Sequence, residues 1–278
     1  MKLYKTKNGI VIEKDNAFYH VNNKSWDEFV NDDNLYSKML SATQSGSPAP
    51  EAKAWIDSVI QAPVQNQEIW ACGVTYFRSK VGRQEESKDS GGADFYARVY
   101  EADRPEVFFK STASRAVGHG EKVKIRKDST WDVPEPELTL VVTSSGKIVG
   151  YTVGNDMSSR SIEGENPLYL PQAKTYDASA AVGPCIFVTD KPIPTDTLIQ
   201  LQILRDGKQV FEGEVAIDQI KRKLEDLVSY LYRETSFPYG CLVMTGTGIV
   251  PSSDFTLKSG DEIRITIQHI GTLVNTVQ

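Results

Sequence analysis

From Glu68 onward the chain is cut into short runs of β-forming residues: EIWACGVTY, PEVFFK, ELTLVVT, KIVGYTVGND, PCIFVTD, LIQLQILR, CLVMTGT and EIRITIQHI. Gly, Pro, Asn or Asp separates them, so most of this region is committed to sheet. One stretch breaks the rhythm. In IDQIKRKLEDLVSYLYRE, Ile220, Leu224, Leu227, Val228 and Leu231 recur at helical spacing with charged residues on the other faces, which predicts a helix that serves packing.

The first 40 residues also alternate short apolar runs with Asn/Lys/Asp clusters, as a small β-rich unit would. SATQSGSPAPEA, residues 41–52, reads as a loop or linker. A small N-terminal β-rich domain, 1–62, and a main domain, 63–278, are therefore expected. In the main domain FRSKVGRQEESKDSGGADF is polar and lacks sustained apolar periodicity, which reads as a mobile loop or lid. ASRAVGHGEKV and SSRSIEGENPLYLPQ read as irregular connectors, the second unable to continue as one helix past its two prolines.

Charge narrows the function classes. With 31 Lys+Arg against 37 Asp+Glu the formal charge is -6, and no basic run offers a track for nucleic acid. The opening MKLYKTKNGIVIEKDN reaches charged residues too early for a signal peptide, and no run approaches the ~20 apolar residues of a membrane span. A cytoplasmic protein with no membrane or nucleic-acid partner is expected. Cys72, Cys185 and Cys241 are far apart and lack CxxC spacing, so each reads as a small buried apolar residue.

One motif carries chemistry. WDVPEPELTL sets Glu135 and Glu137 at i and i+2, on one face of a strand, at the mouth of an apolar run. Two like charges side by side call for a cation, and a hard divalent ion such as Mg²⁺, Mn²⁺ or Ca²⁺ takes oxygen ligands. Asp156, closing KIVGYTVGND at a turn, is the candidate third ligand. The alternative is a solvated strand face with Asp156 as a turn-former, and spacing alone leaves both open.

PEPELTLVV, KIVGYTVGNDMSSRSIE, KTYDASAAVGPCIFVTD, CLVMTGTGIVP and LKSGDEIRITIQHIGTLVNTV, in that order, resemble the fumarylacetoacetate hydrolase superfamily over about residues 66–278. The resemblance implies an α+β, β-rich mixed-sheet roll with a divalent metal on Glu135, Glu137 and Asp156. It also implies Lys174 and the Thr245-Gly246-Thr247 turn as groups near the substrate oxygens. RPEVFFKSTASRAVGHGE and IEGENPLYLPQAKTY look most like the branch that dehydrates 2-keto-3-deoxy sugar acids. Hydrolase members typically carry a His that helps activate water just after the first strand of this domain. Ser79 stands at that position, and is read as a substrate contact instead.

The implied reaction is metal-assisted elimination on a 2-dehydro-3-deoxy-pentonate. Chelation of the carboxylate and keto oxygens acidifies C3, loss of the C4 hydroxyl follows, and tautomerisation yields 2,5-dioxopentanoate. Lys174 is the first candidate for the base, on the expectation that burial near a cation lowers its pKa, and a substrate clamp is its alternative role. Glu106 reads as a further acid, base or water-positioning group, or as a surface partner of Arg104. His119, between two glycines, reads as a proton shuttle or substrate contact, or as a turn residue. Lys110, Arg160 and Thr247 complete the candidate substrate contacts; His20 and His269 read as structural. Competing functions are C–C hydrolysis of an acylpyruvate, oxaloacetate decarboxylation, and a non-catalytic binding module. Family likeness implies a homodimer or a homotetramer.

Overall fold

In the computed structural model, which describes residues 1–22, 25–86 and 93–278, the β-type runs form two mixed sheets packed face to face. The large sheet runs in the order Ala17–Val21, Gly9–Lys14, Lys2–Thr6, Ala180–Phe187, Ile148–Asp156, Pro136–Val142, Cys241–Met244, Glu68–Gly73, Glu106–Thr112. The smaller one runs Lys208–Ala216, Leu198–Arg205, Glu262–Ile267, Gly271–Val277, Lys122–Val123. Most neighbours are antiparallel, while Cys241–Met244 lies parallel to Glu68–Gly73.

The period-2 alternation of the strands builds the core. Leu138, Leu140 and Val142 face Ile199, Leu201, Ile203, Ile263, Ile265 and Ile267 of the smaller sheet in one apolar cluster. The strand Pro136–Val142 sits between two others and every one of its residues is buried. Pro136 is tolerated there because pairing with Cys241–Met244 begins only at Thr139, so no ladder donor is needed from its nitrogen.

Three expectations are corrected. The run 41–52 is largely helical: Leu35–Ser45 and Glu51–Val59 are helices that flank Gly46, so the N-terminal region combines strands with helices. The residues 77–86 and 93–101 form helices, Phe77–Glu86 and Ala93–Glu101; the rest of the expected lid, 87–92, lies outside the described residues. Apolar periodicity misses the first of these helices because the side it buries is Ser79, Gly82 and Arg83, which are helically spaced but not apolar. The packing helix is real but shorter, Leu224–Tyr232, with Leu227, Val228 and Leu231 buried. Ahead of it Arg222 donates to the carbonyls of Val99, Ala102 and Asp103, and Lys221 N–H to Thr75 O, which holds the preceding residues out of helical register.

A division near residue 62 remains a proposal. It falls at Pro63, after the short strand Ile60–Gln61, while Lys2–Thr6 pairs directly with Ala180–Phe187 of the main sheet.

The short strand Asp132–Val133 pairs with Ser158–Ser159 and carries a buried carboxylate. Asp132 Oδ1 accepts no hydrogen bond among the described residues, and burial pushes the group up from its ordinary 3.8 to about 6. Because the folded value exceeds the unfolded one, this carboxyl favours folding below about pH 4, and that contribution is lost as pH rises through 6. After allowance for residual solvent screening, wild type should lose roughly 1 kcal/mol relative to Asp132→Asn between pH 4 and 7. Urea unfolding of both proteins at the two pH values checks it.

Candidate functional site

Antiparallel pairing of Pro136–Val142 with Ile148–Asp156 extends one residue further, through Asp156 N–H to Glu135 O at 3.0 Å and Glu135 N–H to Asp156 O at 3.2 Å. Asp156 is thereby fixed opposite Glu135, and Glu137 lies two residues along on the same face. One carboxylate oxygen from each of the three lies within 4.8 Å of the other two, and all three side chains are buried. Such a set does not form without compensation. Three buried oxygen-donor groups sharing one focus fit a hard divalent cation.

The protein supplies its own cations around this focus. Lys174, at the end of Leu170–Lys174, donates to Glu135 Oε2 at 2.5 Å, Asp156 Oδ2 at 3.0 Å and Ser158 Oγ at 2.5 Å. Arg160, opening the helix Arg160–Glu165, donates to Glu135 Oε1 at 2.5 Å. Lys110 pairs with Asp156 Oδ1 at 2.5 Å and donates to the carbonyls of Met157 and Lys174. Glu137 instead receives the Gly246 N–H at 2.6 Å. Gly246 is obligatory there, since its φ is +92° and a Cβ would strike Thr75 Oγ1.

Proton affinities follow from these neighbours. Burial raises Glu137 well above the carboxylate range, reinforced by the charges of Asp156 and Glu135. Burial also raises Glu135, partly offset by Lys174. At Asp156 burial pushes upward, but Lys110 and Lys174 outweigh it and hold the group low. The expectation for Lys174 is reversed: burial lowers it, yet Asp156, Glu135 and Glu163 together raise it above the ordinary lysine value. Of the two lysines at this focus, Lys110 is the one that burial holds below the ordinary value.

The cavity beside the carboxylates is lined by Ser79, Arg83, Phe108, Arg160, Lys174 and Thr247, with Val74 and Gly73 at its rim. Val74 is a β-branched residue at φ 53°, an uncommon and strained backbone of the kind concentrated at functional sites. Ser79, Arg160, Lys174 and Thr247 are thus gathered with the metal-ligand candidates. The Ser79 hydroxyl donates to Tyr76 O at 2.7 Å and accepts from Tyr76 N–H at 3.2 Å.

Glu106 sits across from Gly73 in the strand pair, so close that a Cβ on Gly73 would overlap its carboxylate. Its Oε2 is buried without a hydrogen-bond partner among the described residues, and burial raises its pKa, with Arg83 and Lys174 acting in the opposite direction.

Three candidates do not line the cavity: Glu106, which lies behind Gly73 of its lining, His119 and Lys110. His119 Nδ1 accepts the Val274 N–H at 3.3 Å, which ties it to the smaller sheet, and it does not line the cavity. Lys110 lies behind Asp156, where it orders that carboxylate; its predicted contact with substrate is not supported by this placement.

Sequence reading missed Arg83 and Glu163. They form a close ion pair between the helices Phe77–Glu86 and Arg160–Glu165, with side chains 5% and 1% exposed. Glu163 also lies 3.8 Å from Arg160 Nε and 3.9 Å from Lys174 Nζ. The spacing of Ser79 with Arg83, i and i+4, and of Arg160 with Glu163, i and i+3, is the signal that could have located them.

Comparison with known proteins shows the family. Residues 75–278 match the family model described as fumarylacetoacetate (FAA) hydrolase C-terminal. The chain is 49% identical over 226 residues to a probable 2-keto-3-deoxyxylonate dehydratase of Haloferax volcanii, covering 81% of this chain and 76% of that one. It is 44% identical over 224 residues to 2-dehydro-3-deoxy-D-arabinonate dehydratase of Saccharolobus solfataricus, covering 80% and 75%. Among solved structures, 2-keto-3-deoxy-D-arabinonate dehydratase complexed with magnesium and 2,5-dioxopentanoate superimposes with a TM-score of 0.84 at 35% identity, covering 100% of this chain and 99% of the other.

Breaking the Arg83–Glu163 pair from one side leaves a buried charge uncompensated. Arg83→Met should cost about 3–5 kcal/mol, and Glu163→Gln combined with it should recover most of that loss, as read from urea unfolding curves.

Proposed function

Because the chain belongs to the fumarylacetoacetate hydrolase family, we propose that it is a divalent-metal-dependent hydro-lyase that converts a 2-dehydro-3-deoxy-pentonate to 2,5-dioxopentanoate. The observation that carries the reading is the convergence of buried Glu135, Glu137 and Asp156 on one focus, with Lys174 beside them and Glu106 close enough to feel the charges of Lys174 and Asp156.

Glu135, Glu137 and Asp156 would hold the ion, proposed as Mg²⁺ with Mn²⁺ or Ca²⁺ as substitutes. When bound it would supply a Lewis acid to the carboxylate and keto oxygens of the substrate and would offset carboxylate charge that holds Lys174 protonated. Lys174 would serve as the base at C3 after it has released its ammonium proton to solvent. Glu106, whose proton affinity burial raises, gives a proton to the departing C4 hydroxyl, which leaves as water. The C3–C4 double bond so formed is conjugated with the ketone. A proton shift from C5 to C3 yields the enol of the C5 aldehyde, and tautomerisation completes the product. Ser79 and Thr247 line the cavity beside the carboxylates, which at about 10 Å³ would have to widen to take the substrate chain, and Arg160 keeps Glu135 oriented.

The family likeness is the support for a homodimer or a homotetramer, and a cytoplasmic location is part of the same proposal. Among the described residues no helix is long and apolar enough to cross a membrane.

Purified protein with Mg²⁺ should release an aldehyde product from 2-dehydro-3-deoxy-D-arabinonate and lose that activity in EDTA; turnover of an acylpyruvate with no dehydration would overturn the assignment. Glu106→Gln should lower kcat by about 10²–10⁴-fold while Mg²⁺ affinity holds, and Glu137→Gln should lose both, as steady-state kinetics and calorimetry report.

A further inference from the structure

If a divalent ion binds Glu135, Glu137 and Asp156, as proposed above, one cation of the protein stands in its way. Each oxygen of Glu135 and Asp156 already has a partner. Arg160 holds Glu135 Oε1 and Lys110 holds Asp156 Oδ1, both at 2.5 Å. The remaining two, Glu135 Oε2 and Asp156 Oδ2, share the Lys174 ammonium at 2.5 and 3.0 Å. An ion that draws one oxygen from each carboxylate, with Arg160 and Lys110 in place, therefore needs the ground that this ammonium occupies.

Lys174 cannot retreat to water, because its side chain is fully buried. A buried ammonium left without a counter-charge is strongly disfavoured, so it must move to another carboxylate. Glu163 Oε1 lies 3.9 Å away. Glu163 does not line the cavity, and Arg83 from the facing helix holds it close.

We propose that Glu163 is a positioning residue that receives the Lys174 ammonium when a divalent ion takes Glu135 and Asp156. Ion entry is then an exchange of one cation for another at the two carboxylates. Arg83 steadies the receiving carboxylate, and the exchange carries Lys174 from the ligand oxygens to a second defined seat within the same site.

The test is Mg²⁺ calorimetry on the full chain in four forms: wild type, Lys174→Met, Glu163→Gln/Arg83→Met, and the triple variant. The Glu163/Arg83 double variant keeps the local charge sum of wild type, so weaker binding reports the lost seat and not lost negative charge. It should bind Mg²⁺ about 10–100-fold more weakly, in the range for groups that orient metal ligands. Lys174→Met should bind about tenfold more tightly, since the competing charge is gone. In the triple variant affinity should equal that of Lys174→Met, because a receiving seat matters only while there is an ammonium to receive. The proposal is overturned by a folded double variant with wild-type affinity, or by a triple variant weaker than Lys174→Met by the same factor. Equal or weaker binding by Lys174→Met overturns it even if the double variant fails to fold. A wild-type protein that binds no Mg²⁺ sinks the metal-centre reading itself, which is a separate result.

Discussion

The fold is organised around a concentration of negative charge that backbone pairing imposes and side chains then neutralise. Once Pro136–Val142 and Ile148–Asp156 are hydrogen-bonded through the Glu135–Asp156 pair, their three carboxylates have no choice of position. Burial of such a set is tolerable only if cations arrive from elsewhere. They do so from separate elements: Lys110 from the edge strand Glu106–Thr112, Arg160 and Lys174 from the two short helices of 160–174, and Arg83 by way of Glu163. The irregular stretch after Asp156 serves this charge balance. Its break at Asn166-Pro167, and the fresh start of Leu170–Lys174 with Pro171 in its first turn, allow one short chain segment to deliver two cations to the same focus.

This explains which parts were legible in sequence. Sheet content follows from period-2 apolar runs whose buried faces are ordinary hydrocarbon, and Glu135 with Glu137 is visible as an i, i+2 pair. The helix Phe77–Glu86 is not visible by the same test, because the surface it covers is carboxylate-rich and its buried side is accordingly Ser79 and Arg83. Leu35–Ser45 and Glu51–Val59 were hidden by a Ser/Pro/Ala-rich composition that marks only the join between them. The edge strand Lys208–Ala216 is mostly exposed and half polar, so it leaves a faint trace in the sequence.

Roles were less legible than positions, since a pKa depends on partners that sequence does not reveal. Lys110 and Lys174 are both fully buried, and desolvation pushes both down. They separate because Lys174 faces Asp156, Glu135 and Glu163, whereas the principal counter-charge of Lys110 is Asp156 and Lys174 itself opposes its protonation. His119 is placed by a comparable effect of its surroundings. Flanking glycines gave it an apparent freedom that the smaller sheet removes by fixing its Nδ1 on a backbone amide.

The choice between elimination and hydrolysis turns on what could activate a water. A hydrolytic site needs a base poised over a water held near the polarised carbonyl. The position where the family's hydrolases carry an imidazole is Ser79, whose hydroxyl both donates to and accepts from the backbone of Tyr76. A hydroxyl engaged in that way is held as part of the helix start and is a poor proton acceptor at neutral pH. The proton-handling groups that remain, Lys174 and Glu106, flank the carboxylate focus from different elements, the end of Leu170–Lys174 and the start of Glu106–Thr112. Elimination requires such a division, one group to take a proton from carbon and another to return one to oxygen, and no activated water enters the balance.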